Sequence, residues 1–291
     1  MMRTTAKHPD STPIPVQLSE PEFNAFIFPH LSMPKRGPRC KLGYHRLLNR
    51  ILGVLYTGMP WKCLPIPKGP TGKPEIHDTN VYRAFAKWVD DGSLQQAFIA
   101  SMAHLSDERK LDLRVLHGDG TNTVAKKGGM ALGIRSTNTQ KGEKIIAITD
   151  NHGSVLAPLS VAPVNETDMV LLPKGLQALK QVAKEVGLDL KGAYLNLDGG
   201  FDSTRNRKCI FNAGMIPNIK ENPRHRQTTK RGRKRLFNEA IHALRARVER
   251  TFAWEDKFKR LSLRFERIQQ RHYGMKLMAY TLINLRGFCV T

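Results

Sequence analysis

Three acidic residues stand at positions where their type and setting could do chemistry. Asp119 lies inside His-Gly-Asp-Gly-Thr, Asp198 closes an apolar run in LNLDGGFDS, and Glu249 sits in the basic stretch RARVERTFAWEDKFKR. Gathered in one place, three carboxylates repel strongly, and hard divalent cations such as Mg²⁺ relieve such a cluster with oxygen ligands. Taken singly, each acid also has a plainer reading. Asp119 and Asp198 beside glycines suit turns, and a lone Glu among cations on a helix suits ion pairs. Only the constellation is informative, and it depends on the elements that would position it.

Those elements change character near Val115. Before it the pattern is helical: a short helix between Ser19 and His30, then Leu48, Ile51, Leu52 and Leu55 at the spacing of one helix face, stopped by Gly58 and Pro60. A third helix starts at Asp78, an acid suited to an N-cap, with a core stripe of Val81, Phe85 and Trp88, and a fourth runs from Ser93 to about Leu105. After Val115 come three β-type runs, VLHGDGTNT, KIIAITD and VLAPLSVAP, then a helix over about 169–186, the strand GAYLNLD, a short helix over 203–212 and the strand MIPNIK. Strands alternating with helices predict an α/β core with some parallel pairs. One long helix is expected over 238–259 and another over 271–286.

Asp119 and Asp198 then fall at strand ends, on a sheet rim where ligand sites commonly form. Glycines 118 and 120 would let a ligand approach the backbone closely. His117 reads as a core or turn residue rather than a metal ligand, and Asn165 and Asp168 as neighbours of the site or as a helix cap.

Composition points to the partner. The 291 residues carry 47 Lys and Arg against 25 Asp and Glu, a formal net charge of +22. Such a surplus favours a polyanion, because each cation that neutralises a phosphate releases a condensed counterion. No run of about 18 apolar residues predicts a membrane span, and the first residues lack the apolar core of a signal peptide. No membrane partner and a cytoplasmic, nucleoid-associated protein are therefore expected. The four cysteines, Cys40, Cys63, Cys209 and Cys289, lack metal-binding spacing and read as reduced packing residues.

Taken together, HGDGT, LNLDGGFDS and Arg245-x-x-x-Glu249, in that order, resemble the catalytic DDE triad of an RNase H-like transposase of the insertion sequence family five type. LGVLYTGMPWKCLP and VYRAFAKWVDDG are similar to the helical N-terminal region of that group, so the resemblance runs from about Leu18 to Phe288. Two positions depart from the family's signature. His242 stands where a Tyr often precedes the Arg by three residues, and Asp256, with Lys257 beside it, stands where a Lys commonly follows the Glu by seven.

The resemblance implies an RNase H-like five-stranded mixed sheet with flanking helices, preceded by an all-α, helix-turn-helix-like domain. The expected division is a tail over 1–17, a helical DNA-binding domain over 18–108, and a catalytic domain over 109–291 with a basic loop at 221–237. It further implies Mg²⁺ or Mn²⁺, two ions, with Asp119 bridging both and Asp198 and Glu249 holding one each. Water attack would free a 3′ hydroxyl at the element end, and that hydroxyl would attack target DNA.

Expected contacts to double-stranded DNA are Arg245, which could instead pair with Glu249, and Lys257. Trp254 could stack on an unpaired base or belong to the core. Arg231, Arg233, Lys234 and Arg235 in the basic loop, and Lys35, Arg36, Arg39, Lys41 and Arg46 near the second helix, would track the backbone. Synapsis of two element ends makes a homodimer or larger assembly the expected state. A catalytically silent DNA-binding regulator and an RNase H-like nuclease remain the alternatives.

Overall fold

The computed structural model describes residues 12–34, 40–134, 140–157, 160–222 and 235–289. The chain folds as two units, one of Met1–Glu108, Thr123–Met130 and Trp254–Thr291, the other of Arg109–Asn122 and Ala131–Ala253.

The first unit is helical. Helix α1 (Glu20–Phe26) begins at a capping box: Ser19 N–H donates to Glu22 Oε2 at 2.7 Å and Glu22 N–H to Ser19 Oγ at 3.4 Å. Helix α2 (Tyr44–Thr57) buries the Leu48, Ile51, Leu52 and Leu55 stripe, and Gly58 ends it at φ 74°. Helix α3 (Asp78–Asp90) buries Val81, Phe85 and Trp88; its N-cap is His77, and Asp78 is the first helical residue. Helix α4 (Ser93–Asp107) packs along α9 (Gln269–Leu285), which is buried on nearly every side.

That burial explains a difference from the sequence reading. The boundary at 108 left 254–291 in the catalytic domain, whereas the structure groups that segment with the first helices. A helix apolar around most of its girth needs neighbours on several sides, and α3 and α4 supply them. Several of its buried polar groups have partners on neighbouring helices and turns. Asn284 Nδ2 donates to Ser101 Oγ at 3.1 Å, and Lys276 Nζ donates at 2.5 Å to Glu255, which also accepts from the Tyr280 hydroxyl. A Cβ on Gly274 would lie 2.3 Å from Val89 Cγ2. Gly274→Ala is therefore expected to cost about 1–3 kcal/mol, read as a lower urea midpoint at unchanged slope.

The second unit carries a mixed sheet with helices. Strands β1 (Val115–Val124), β2 (Gly133–Ile134), β3 (Lys141–Thr149), β4 (Ser160–Pro163), β5 (Tyr194–Leu197) and β6 (Ile216–Ile219) form the described sheet. Its order is β2-β3-β1-β5-β6, with β4 also pairing β3 antiparallel. β1, β5 and β6 run parallel. The mixed α/β sheet with flanking helices is as expected, with six described strands in place of five because β2 adds a two-residue pair to β3. Helix α5 (Asp168–Val186) buries Leu171, Leu172, Leu176 and Leu179, and α6 (Thr204–Asn212) connects β5 to β6.

The long helix expected over 238–259 is broken into α7 (Glu239–Ala243) and α8 (Ala246–Glu255). In a continuous helix the Ile241 carbonyl would accept from the Arg245 N–H. Here it accepts from Asn196 Nδ2 at 2.8 Å and Leu244 N–H at 3.1 Å, while Arg245 N–H turns to the His242 carbonyl at 3.0 Å. A side-chain amide from the sheet thus intercepts the ladder. Glu249, expected mid-helix, falls instead in the first turn of α8, where the positive end of the helix dipole favours a carboxylate.

Candidate active site

Alternation along parallel strands builds the site in two rows. His117 on β1, Asn196 on β5 and Asn218 on β6 are register partners and are fully buried. Two residues further along each strand, on the same face, stand Asp119, Asp198 and Lys220. Neighbouring strands lie about 4.8 Å apart, so the two aspartates are brought close without any loop having to fold over them.

The lower row is a hydrogen-bond chain whose directions can be assigned throughout. Asn218 accepts from Asn238 N–H at 2.8 Å and donates to Asn196 Oδ1 at 3.1 Å. Asn196 Nδ2 donates to the Ile241 carbonyl and lies 3.2 Å from His117 Nδ1, which must accept because an amide nitrogen can only donate. His117 Nε2–H then donates to Asn151 Oδ1 at 3.1 Å, and Asn151 Nδ2 to Asp112 Oδ2 at 2.9 Å. Burial lowers the His117 pKa, so the ring is neutral, as this tautomer requires. The chain fastens the α7 end to the sheet and so sets where α8 lies. Asn196→Leu strips His117 Nδ1 of its donor and Asn218 Nδ2 of an acceptor, and leaves the Ile241 carbonyl with Leu244 N–H alone. It is expected to cost about 1–3 kcal/mol by urea denaturation.

Above this row, Asp119 Oδ1 accepts from Gly120 N–H at 2.8 Å and its Oδ2 from Arg245 at 2.8 Å. The same guanidinium nitrogen reaches Glu249 Oε1 at 3.3 Å. Burial raises the Asp119 pKa; Arg245 and Gly120 oppose it, and Asp198 adds to it by charge repulsion. Asp198 Oδ1 accepts from Gly200 N–H at 2.8 Å, capping a short 3-10 turn at Gly199–Phe201, so the turn reading of Asp198 also holds. Among the described residues nothing donates to its other oxygen.

His242 Nδ1 lies 3.3 Å from Asn196 Oδ1, and its pKa is lowered by burial, then by Arg245 and Lys220, against the pull of Asp198 and Glu239. Among the described residues no three acidic, His or Cys groups close into a metal cage. The guanidinium of Arg245 instead stands as the cation between Asp119 and Glu249, with Asp198 beside Asp119.

The glycines around Asp119 have a different cause from the one expected. A Cβ on Gly118 would lie 2.5 Å from Leu197 Cδ2, and one on Gly120 2.8 Å from Asp168 Oδ1. They admit packing from the opposite face of the sheet rather than a ligand. Asp168 pairs with Lys144 at 3.0 Å on that side.

Residues 113–282 match the family described as Transposase DDE domain, more than half of the chain. The chain belongs to that family. A putative transposase for insertion sequence element IS402, from Burkholderia cepacia, is 30% identical over 143 residues, covering 49% of this chain and 62% of that protein. Among solved structures, the Mos1 transposase paired-end complex with left transposon end is similar at TM-score 0.28 and 11% identity over 64% of this chain and 61% of that one. A pre-cleavage Mos1 transpososome is similar at TM-score 0.28 and 10% identity over 88% and 81%.

In this transposase family member the remaining expected residues lie as follows. Arg235 is tied to the half-buried Asp202 at 2.7 Å, with Arg207 on the same oxygen at 2.9 Å, so it is a structural partner rather than a free cation. Trp254 is buried and the Arg286 guanidinium covers its ring at 4.3 Å, which leaves that face closed to a base. Because α8 ends at Glu255, Asp256 does not continue the Glu249 face, and it and the exposed Lys257 lie in a turn of the helical unit. Arg46 pairs with Glu75 at 2.7 Å, and Lys41 is exposed. Lys35, Arg36, Arg39, Arg231, Arg233 and Lys234 lie outside the described residues.

Asn151, Asn196, Asn218 and Lys220 are not among the residues expected from the sequence. A signal was present: Leu-His-Gly-Asp, Leu-Asn-Leu-Asp and Pro-Asn-Ile-Lys repeat one pattern on three strands, a buried polar residue followed two places later by a charge.

Proposed function

We propose that this protein is a transposase that cleaves DNA at the ends of a mobile element and joins the freed ends to a target, with Asp119, Asp198 and Glu249 as its acids. The observation that carries the proposal is the Arg245 bridge between Asp119 and Glu249 beside Asp198. A cation between two acids, next to a third whose charge raises the Asp119 pKa, is what a divalent ion would find and relieve.

Divalent-metal dependence comes with the family; two Mg²⁺ or Mn²⁺ ions held by these carboxylates is the finer reading. Such ions activate the attacking oxygen and stabilise the leaving one. Asp119 and Asp198 are suited to hold them because each has one oxygen fixed by a backbone N–H, which orients the carboxylate; the second oxygen of Asp198 is open to bind, and that of Asp119 would become so once Arg245 left it. Glu249 is carried on the first turn of α8, whose position the Asn196 chain fixes. Arg245, released from Asp119, would meet a phosphate oxygen of the scissile strand with its paired N–H groups.

In the first step water attacks the phosphodiester and a 3′ hydroxyl leaves. In the second that hydroxyl attacks a target phosphodiester, displacing the target's own 3′ oxygen, so bonds balance and no covalent protein intermediate forms. The helical unit is the proposed end-binding domain, double-stranded DNA the partner, and a homodimer the smallest assembly able to hold two ends.

The test incubates the protein and Mg²⁺ with a duplex copied from the inverted repeats bordering its coding sequence, then adds a target plasmid. Nicking at the repeat end and joined product are expected. Binding without nicking in Mg²⁺ or Mn²⁺ would overturn the reading. With cleavage established, raising salt from about 50 to 200 mM is expected to weaken duplex binding at least tenfold, because several phosphates are neutralised.

A further inference from the structure

Helix α3 shows two faces of opposite chemistry. Val81, Phe85 and Trp88 are buried in the helical unit. Asn80, Arg83, Ala84 and Lys87, at the i, i+3, i+4, i+7 spacing of a single stripe, line an open groove of about 450 Å³. The Asn80, Arg83 and Lys87 side chains are exposed; among the described residues none of the three has a hydrogen-bond or close ion-pair partner, and Lys87 feels only the longer-range charge of Asp91. Across the groove lie Lys41 and Tyr44, the latter opening α2. That helix begins at Gly43 with no side-chain cap and no acid in its first turn, so its leading N–H groups keep their capacity to donate. The acid on the groove wall, Glu75, is already paired with Arg46.

We infer that α3 is the base-reading helix of the helical unit, laying Asn80 and Arg83 in the major groove of duplex DNA while Lys87, Lys41 and the start of α2 hold the flanking backbone. The types fit the edges they would meet. Asn donates to and accepts from adenine N6 and N7, and Arg donates bidentately to guanine O6 and N7. The small Ala84 beside them lets the helix sit close to the base pairs. Lys87, a flexible point charge, suits a phosphate. An acidic protein would match the charge equally but would not call for an amide and a guanidinium one turn apart beside a small residue. The inference deepens the transposase reading and rests on it for the identity of the DNA.

The experiment measures affinity of the full chain for the terminal-repeat duplex and for a shuffled duplex of the same composition. Arg83→Ala is expected to weaken repeat binding about 10- to 100-fold and to change shuffled binding little. Lys87→Ala should weaken both alike and reduce the salt slope by about 1. Unchanged urea midpoints certify that these exposed substitutions leave the fold intact.

Equal loss on both duplexes for Arg83→Ala would overturn base reading by this face. No loss on either would assign the face to a different partner. A wild-type protein indifferent to the repeat would defeat the transposase reading itself, so the two failures are distinguishable.

Discussion

Asp119→Asn is expected to lower cleavage at the repeat end by about two to three orders of magnitude while leaving duplex affinity within about twofold. The cleavage loss follows from the several kcal/mol that a properly held metal supplies to a phosphoryl transfer, at about 1.4 kcal/mol for each tenfold. The retained affinity follows from where the charge lies: most of the +22 surplus is spread over the chain and none of it is removed. Single-turnover nicking and filter binding on the same preparation separate the two effects.

The fold should not suffer. Burial, the largest influence on Asp119, raises its pKa, so the native state binds its proton more tightly than the unfolded chain does. Between the ordinary and the raised pKa the native state holds more protons, and stability falls as pH rises through that window. A neutral Asn escapes this penalty. The variant should therefore melt at or above the wild-type temperature at neutral pH, and a large drop instead would make Asp119 a structural acid.

How much of this was legible beforehand depends on whether the cause was local. The triad candidates were visible because each stands out against its own neighbours, an acid after an apolar run or among cations. The helix stripes of α2 and α3 were visible because their period is set by the backbone alone. The break between α7 and α8 was not. Leu244 and Arg245 carry neither Gly nor Pro, and the cause is Asn196, nearly fifty residues earlier, taking the Ile241 carbonyl.

Two further differences share that origin. The segment after Trp254 follows the α/β part in sequence but belongs to the helical unit because α9 has apolar surface on sides that α4, α3 and α2 cover. Gly118 and Gly120 look like a ligand cradle from the sequence, yet the atoms that exclude their Cβ groups come from Leu197 and Asp168. In each case the deciding partner lies far along the chain. The threefold repeat of polar residue and charge on β1, β5 and β6 was readable, and only required that the three strands be compared with one another.

Arg245→Met should separate the two tasks assigned to this side chain. In the DNA-free protein its guanidinium is the counter-charge of Asp119, a charge-assisted contact worth about 1.5–3 kcal/mol when partly buried. The arm to Glu249 adds little, since that carboxylate is 60% exposed. A divalent ion entering between the acids would have to displace the guanidinium, so the wild-type site would bind metal against that contact. Removing it is expected to tighten Mn²⁺ binding in the absence of DNA by about ten- to a hundredfold, seen by calorimetry and as a larger rise in melting temperature with added Mn²⁺.

Cleavage should move the other way, falling at least about tenfold, because a charge-assisted contact to the scissile phosphate is lost. Opposite signs in metal affinity and cleavage are the signature of an arginine that exchanges an acid for a phosphate when DNA arrives. Coupling of this kind is reciprocal: repeat DNA should tighten Mn²⁺ binding in the wild type and do so less in Arg245→Met. If Arg245→Met weakens both metal binding and cleavage, the arginine serves to orient Asp119, and the exchange does not occur.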